Sequence, residues 1–332
     1  MSSEPRRKKT SYAYAWSGQG DIYDQAYALN RGRYRRAQEQ ARTDPDLPVE
    51  QRKQSAMTVI ASSPEVLEEL RQKHEEKRQE IAQSRIDYPR DVEESKDELA
   101  RTVRAEADRN YGWYNPLRYL YRHWGARSST AYASDSPEVA HLRTKVRADE
   151  SMVAGLGEEE HLHANMRFIR MGDLDPHETG RTTRKLHLLG HGGPDFPAFT
   201  TVQNPTKMHQ YKLFDDLAKE FKQQGVLDRF TDLRMESCWS ANPVRTDIYS
   251  KPDTYQPVIA TDAGVKRAPG VHLQRQLKAV HPDQPFQIKA YEGRGSQLSN
   301  PIGQKQRNLT NPMETVRQST VAHTFTHLDK FD

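Results

Sequence analysis

The chain has 332 residues, 34% of them hydrophobic, with a mean hydropathy of −0.98 and a formal net charge of +4. That leaves room for one large or two ordinary domains around a modest core. It offers no apolar run of the ~18 residues a membrane span needs, and its mild basicity permits an anionic partner without demanding one. Its one cysteine, Cys238, excludes an internal disulfide and a cysteine-built zinc cage, and fits a reducing compartment.

The first residues are charged, with no apolar segment behind them, so no cleavable secretory signal is expected. Residues 1–50 are rich in charge, glutamine and tyrosine and read as a weakly ordered leader. Within it, Arg31-Gly32-Arg33-Tyr34-Arg35-Arg36 has the chemistry to grip phosphate and stack on bases, but reads first as solvated charge. Residues 51–155 read as a helical N-terminal region. Ser63-Pro64-Glu65 is a helix start, and Val66, Leu67 and Leu70 form one stripe ahead of a nearly all-polar stretch. Tyr88-Pro89 is expected to break that helix, with another polar helix at 98–108. Tyr111, Trp113, Tyr114, Tyr119, Tyr121 and Trp124 suit either an aromatic anchor for these helices or a stacking surface. Ser136-Pro137-Glu138 starts a further helix, to about residue 153, and Gly155 and Gly157 mark a boundary.

From residue 156 to 332 the texture changes. Strands are expected at 166–171, 185–191, 233–238, 257–260 and 286–291. Helices are expected at 208–223, stopped by Gly225, and at 270–280. This order predicts an α/β domain whose mainly parallel sheet is flanked by helices. Residues 293–332 show no period and read as a loop or tail.

Two of these strands end at reactive side chains. Lys185 to His191 runs into a glycine cluster, and Leu233 runs to Cys238. In an open α/β sheet, functional groups gather beyond the carboxyl ends of the strands, so imidazole and thiol are expected on one rim. Together they have what acyl transfer through a thiolate needs. Gly192 permits close backbone approach, and its N–H and that of Cys238 are candidates for an oxyanion hole. Asp195 is a candidate to orient the imidazole or contact substrate, or belongs to the Gly193-Pro194-Asp195 turn. Glu236 is a candidate to hold a substrate backbone or basic side chain, or is structural. The chain has 13 histidines, yet His161, His163, His177 and His187 show no metal-site spacing, and no metal is expected. A hydrolase elbow around Cys238 is missing, and the chain order is wrong for that fold.

Leu189-Gly190-His191-Gly192 and Glu236-Ser237-Cys238-Trp239-Ser240-Ala241 together resemble the two catalytic blocks of the caspase–legumain superfamily of cysteine peptidases. The likeness is nearest to the inositol-hexakisphosphate-activated protease domains of large bacterial toxins and to OspB-type type III effectors. It covers roughly residues 160–295. Trp239 is bulkier than is usual there, and no substrate-pocket pattern is matched. The resemblance implies a caspase-like sheet, a Cys238–His191 dyad and activation by an inositol polyphosphate. Candidates to bind it are Arg184, Lys185, Lys266, Arg267, Lys278, Lys289 and Arg294.

The expectation is therefore a cysteine endopeptidase. The resemblance further implies an effector secreted without a cleavable signal, cutting a host protein in the host cytosol. The alternative is a cytoplasmic, non-enzymatic scaffold whose polar helices engage a partner or nucleic acid.

Overall fold

The computed structural model describes residues 11–45, 57–110, 136–175, 185–202, 210–245, 250–251, 253–299, 305–308 and 315–331. The first half of the chain forms β1 (Ser11–Ala15), α1 (Ile22–Thr43), β2 (Met57–Ala61), α2 (Pro64–Asn110), α3 (Pro137–Ala164) and β3 (Met166–Arg170). Then come β4 (Lys185–Leu188), β5 (Ala198–Thr200), β6 (Tyr211–Leu213), α4 (Phe214–Gln224), α5 (Val226–Arg229) and β7 (Asp232–Met235). The last third holds β8 (Val258–Thr261), β9 (Gly264–Arg267), α6 (Pro269–Val280), β10 (Gln287–Tyr291), β11 (Arg294–Ser299), β12 (Lys305–Asn308), β13 (Thr315–Arg317) and β14 (Ala322–Thr326).

Seven strands make the main sheet in the order β14-β10-β7-β4-β1-β2-β3. Every pairing in it is parallel except β14 on β10. The α/β class and the mainly parallel, helix-flanked sheet are thus as expected. The boundaries are not. Ser11–Ala15, read as part of a leader, is an inner strand with all five residues buried, and Ile22–Thr43 is a helix. Met57–Ala61, assigned to a helical region, is the buried strand beside it.

The physical reason lies in the side chains of β1. Alternation sends Tyr12 and Tyr14 to one face, where they meet Phe230 and Phe221 at ring-centroid distances of 5.2 and 5.0 Å. Tyr14 also donates to Glu220 of α4, and burial first, then Glu220, raises its phenol well above the ordinary value. Ala13 and Ala15 line the other face, in register with Val59 and Ala61. Phe168, next in that register, is stacked by Tyr23 of α1 at 6.0 Å. Alanine makes room on the face that α1 covers, and tyrosine fills the gap to α4. Both choices are invisible to a search for aliphatic alternation.

The chain divides into two units, residues 1–74 with 162–332, and residues 75–161. The second unit is an antiparallel helical hairpin of α2 and α3. Its own small core includes Ile81, Val92, Val103, Val139, Leu142, Val146 and Leu156. Arg85–Glu160, Lys96–Glu150 and Lys145–Glu98 bridge the two helices at 2.6, 3.2 and 3.2 Å, and Ser95 donates to the buried Asp149 at 2.7 Å. α2 runs through Pro89 instead of breaking there. That proline is solvent-exposed, so water can satisfy the carbonyl it leaves without a donor. Gly155 and Gly157, read as a boundary, lie inside α3. The aromatic stretch at 111–124 lies outside the described residues.

Gly225 caps α4 in a left-handed conformation, as its position predicts. The strand expected at 257–260 exists as β8, but it forms a separate hairpin with β9. The region after residue 293, expected to lack structure, supplies the β11-β12-β13 sheet and β14. Among the described residues no helix is long and apolar enough to cross a membrane.

Candidate active site

β4 and β7 are parallel neighbours, with Leu188 opposite Met235. His191 and Cys238 each lie three residues beyond those partners, so both leave the sheet at the same carboxyl rim, from adjacent strands about 4.8 Å apart. Their loops touch. A Cβ on Gly192 would come 3.2 Å from the Ser237 Cβ and 3.5 Å from the Cys238 carbonyl oxygen.

The imidazole is held from three sides. The His191 backbone exchanges two hydrogen bonds with Thr200, of 2.9 and 3.0 Å. Gly190 before it has a φ of 153°, and a Cβ there would press within 2.7 Å of Phe199. Its Nε2 donates to Asp21 Oδ2 at 3.0 Å, which leaves Nδ1 as the basic nitrogen. Burial pushes the His191 pKa below the ordinary histidine value. Asp21 pulls it upward, and the charge of Arg294 adds to the lowering. Asp21 itself sits just past β1, where its N–H donates to Thr201 O at 3.0 Å. Gly20, at φ 59°, is packed so tightly on Thr201 that a Cβ would lie 2.3 Å from that carbonyl.

The nucleophile loop is laced to the end of β10. Trp239 takes a left-handed φ of 55°, a strained turn for a bulky residue, and its N–H donates to Gly293 O at 2.8 Å. Ser240 Oγ accepts the Tyr291 N–H at 2.9 Å, and Asn242 Oδ1 accepts the Gly293 N–H at 3.0 Å. Beneath this, the fully buried Glu292 takes His323 Nε2 at 2.7 Å and the Ser250 N–H at 3.0 Å. The Cys238 thiol is 8% exposed. Among the described residues, the N–H groups of Gly192 and Cys238 donate to no protein acceptor. Two unspent donors beside the thiol are what an oxyanion hole requires.

Asp195 and Glu236, considered for substrate roles, are both engaged within the protein. Asp195 accepts the Arg267 N–H at 2.8 Å, Lys266 at 3.0 Å and His272 at 3.3 Å, tying the His191 loop to β9 and α6. Burial pushes its carboxyl up, but these three donors outweigh that and hold it below its usual range. Glu236 is nearly buried and binds His187 Nδ1 at 2.5 Å and Gln318 at 3.3 Å.

The basic residues expected to converge on a polyanion do not form one group. Lys266 and Arg267 serve Asp195, and Lys278 on α6 donates to Asp329 O at 3.2 Å. Arg184 lies outside the described residues. Lys289 stands opposite Arg234 in the sheet, on the same face as Lys185 and His187. Arg294, at the start of β11, is close enough to lower the His191 pKa.

That face carries a cationic cluster the sequence reading missed. Around Glu236 stand His187, Arg36 of α1, Arg234 and Arg317, with Arg307 and Tyr291 beside them. α1 also brings Arg33, whose guanidinium is lowered to about 10 by burial and then by Arg36. Burial first, then Glu236, pushes the Tyr291 phenol up to about 12. The signal was present in the basic run at 31–36. Reading it needed the knowledge that this run is a helix against the sheet. Asp21 was missed for a related reason, since neither β1 nor α1, between which it lies, was recognised.

No family model matches this chain, and a comparison with curated proteins found no match.

Proposed function

We propose that the chain is a cysteine endopeptidase of the caspase–legumain type, with Cys238 as nucleophile and His191 as its acid–base partner. The observation that carries this is the register of β4 and β7, which puts His191 and Cys238 each three residues past a paired position at one sheet edge. Asp21 adds a carboxylate that fixes the imidazole tautomer.

In this mechanism His191 Nδ1 accepts the thiol proton, and the thiolate attacks the scissile carbonyl. The Gly192 and Cys238 N–H groups take the oxyanion, each worth on the order of 3 kcal/mol in the transition state. The tetrahedral intermediate collapses, the C–N bond breaks, and the imidazolium gives its proton to the leaving amine. Water, deprotonated by the same nitrogen, then cleaves the thioester and restores the thiol.

An inositol polyphosphate fits the face behind the site better than the residues first considered for it. Arg36, Arg234, Lys289 and Arg317, with His187 and Arg33, are the groups that would hold it. The Nε of Arg234 is buried without a hydrogen-bond partner among the described residues, while its Nη2 pairs with Asp232 at 3.1 Å. When bound, such a ligand would supply negative charge and phosphate oxygens to these crowded guanidinium groups. Delivery into a host cell rests on the resemblance alone.

The test is incubation of host-cell lysate with wild type and with Cys238→Ala, each with and without inositol hexakisphosphate, reading new N-termini. Fragments that appear only with wild type, and more with the polyphosphate, support the proposal. Fragments that persist with Cys238→Ala overturn it.

A further inference from the structure

Arg307 of β12 is the largest fully buried side chain described. Its Nη1 donates to Ser237 O at 3.0 Å and to Gly293 O at 3.4 Å, and its guanidinium carbon lies 5.0 Å from the Tyr291 ring centroid. Its Nε and Nη2 have no hydrogen-bond partner among the described residues. Burying a guanidinium with unspent donors costs stability, so packing alone does not account for it. The two carbonyls it holds bracket the nucleophile. Ser237 O belongs to the peptide immediately before Cys238. Gly293 O also receives the N–H of Trp239, immediately after Cys238, at 2.8 Å.

A trans peptide points its C=O and N–H in opposite directions. Fixing Ser237 O on Arg307 therefore fixes the direction of the Cys238 N–H, which is one of the two donors available for an oxyanion. A cation on the carbonyl also polarises that peptide and strengthens the N–H as a donor. We infer that Arg307 is a positioning residue that aims and polarises the Ser237–Cys238 peptide toward the oxyanion. This rests on the proposed peptidase reading, and it goes beyond that reading by giving a residue remote from the thiol a share in transition-state binding.

Two probes of Cys238 separate this role from a general structural one. A peptide aldehyde adds to the thiol and forms an oxyanion-like centre, whereas iodoacetamide alkylates the same sulfur without creating one. In the full-length chain with saturating inositol hexakisphosphate, Arg307→Met and Arg307→Lys are compared with wild type. The probes are iodoacetamide and a panel of N-acetyl tripeptide aldehydes varied at the last residue. The inference predicts that Arg307→Met loses ~100-fold in aldehyde affinity and in kcat, the size of losing one oxyanion donor. The iodoacetamide rate and KM stay within about threefold, and Arg307→Lys recovers part of the loss by keeping the charge.

Should Arg307→Met fail to fold, Gly295→Ala serves in its place. Its Cβ would come 3.1 Å from Arg307 Nη1 and push the clamp off Ser237, with the same selective loss expected. Aldehyde affinity that survives these changes, or an equal fall with both probes, overturns the inference while leaving the peptidase reading standing. A wild-type chain that binds no aldehyde overturns both.

Discussion

Asp21 is the residue on which the proposed chemistry depends most after Cys238 and His191. Its charge raises the His191 pKa against the lowering by burial and Arg294. Removing it as Asp21→Asn should therefore move the acid limb of the kcat/KM profile to lower pH. It should also cost at least about tenfold in kcat/KM, because the tautomer is no longer fixed. A limb that stays in place or moves up would show that Asp21 does not act through the imidazole. Gly192 makes a second test at this scale. A methyl there meets Ser237 Cβ and Oγ at 3.2 and 3.3 Å, beside the oxyanion donors. Gly192→Ala should lower kcat by roughly tenfold or more while shifting Tm little, measured by peptide cleavage and thermal melting.

At the scale of elements, the nucleophile loop is only as firm as its attachment to β10 and β11. Glu292 anchors that junction through His323, Ser250 and Asn242. Burial alone would raise its carboxyl, but His323 and the Ser250 N–H outweigh that and hold it below the usual value of 4.5. A depressed folded pKa means a stabilising contribution that is present above the unfolded value and lost as pH falls through the folded one. Glu292→Gln should thus cost about 1–3 kcal/mol at pH 7 in urea unfolding, with the gap to wild type closing as pH falls below the usual carboxylate value of 4.5. A constant gap across that range would rule out the ionised network.

This scale also explains what could be read in the sequence. The strands ending at His191 and Cys238 were legible because each is an aliphatic run that stops at a polar turn, and α4 was legible from Leu217, Ala218, Phe221 and its Gly225 cap. β1 was not, because Ser-Tyr-Ala-Tyr-Ala has no aliphatic side chain larger than a methyl. Its partners on one face, Phe221 and Phe230, come from distant positions. The cationic cluster around Glu236 was half legible. Lys185 and Lys289 were named on charge, but Arg234 joins that face only through sheet register, and Arg36 comes near Glu236 and Arg317 only through the placement of α1.

Taken whole, the molecule is one α/β unit interrupted by a helical hairpin with a core of its own. Leu142→Ala removes a buried contact within that hairpin and should cost it about 2–4 kcal/mol. Hydrogen exchange should then quicken across residues 81–106 and 139–156 and leave β1, β4 and β7 protected. Equal loss of protection in the sheet would mean that the two units unfold as one. The most direct check of the whole account is the rate at which iodoacetamide modifies Cys238 at neutral pH in wild type and in His191→Ala. If the imidazole takes the thiol proton across the rim of the sheet, the rate should fall by about tenfold or more without His191, and equal rates in the two proteins would contradict the account.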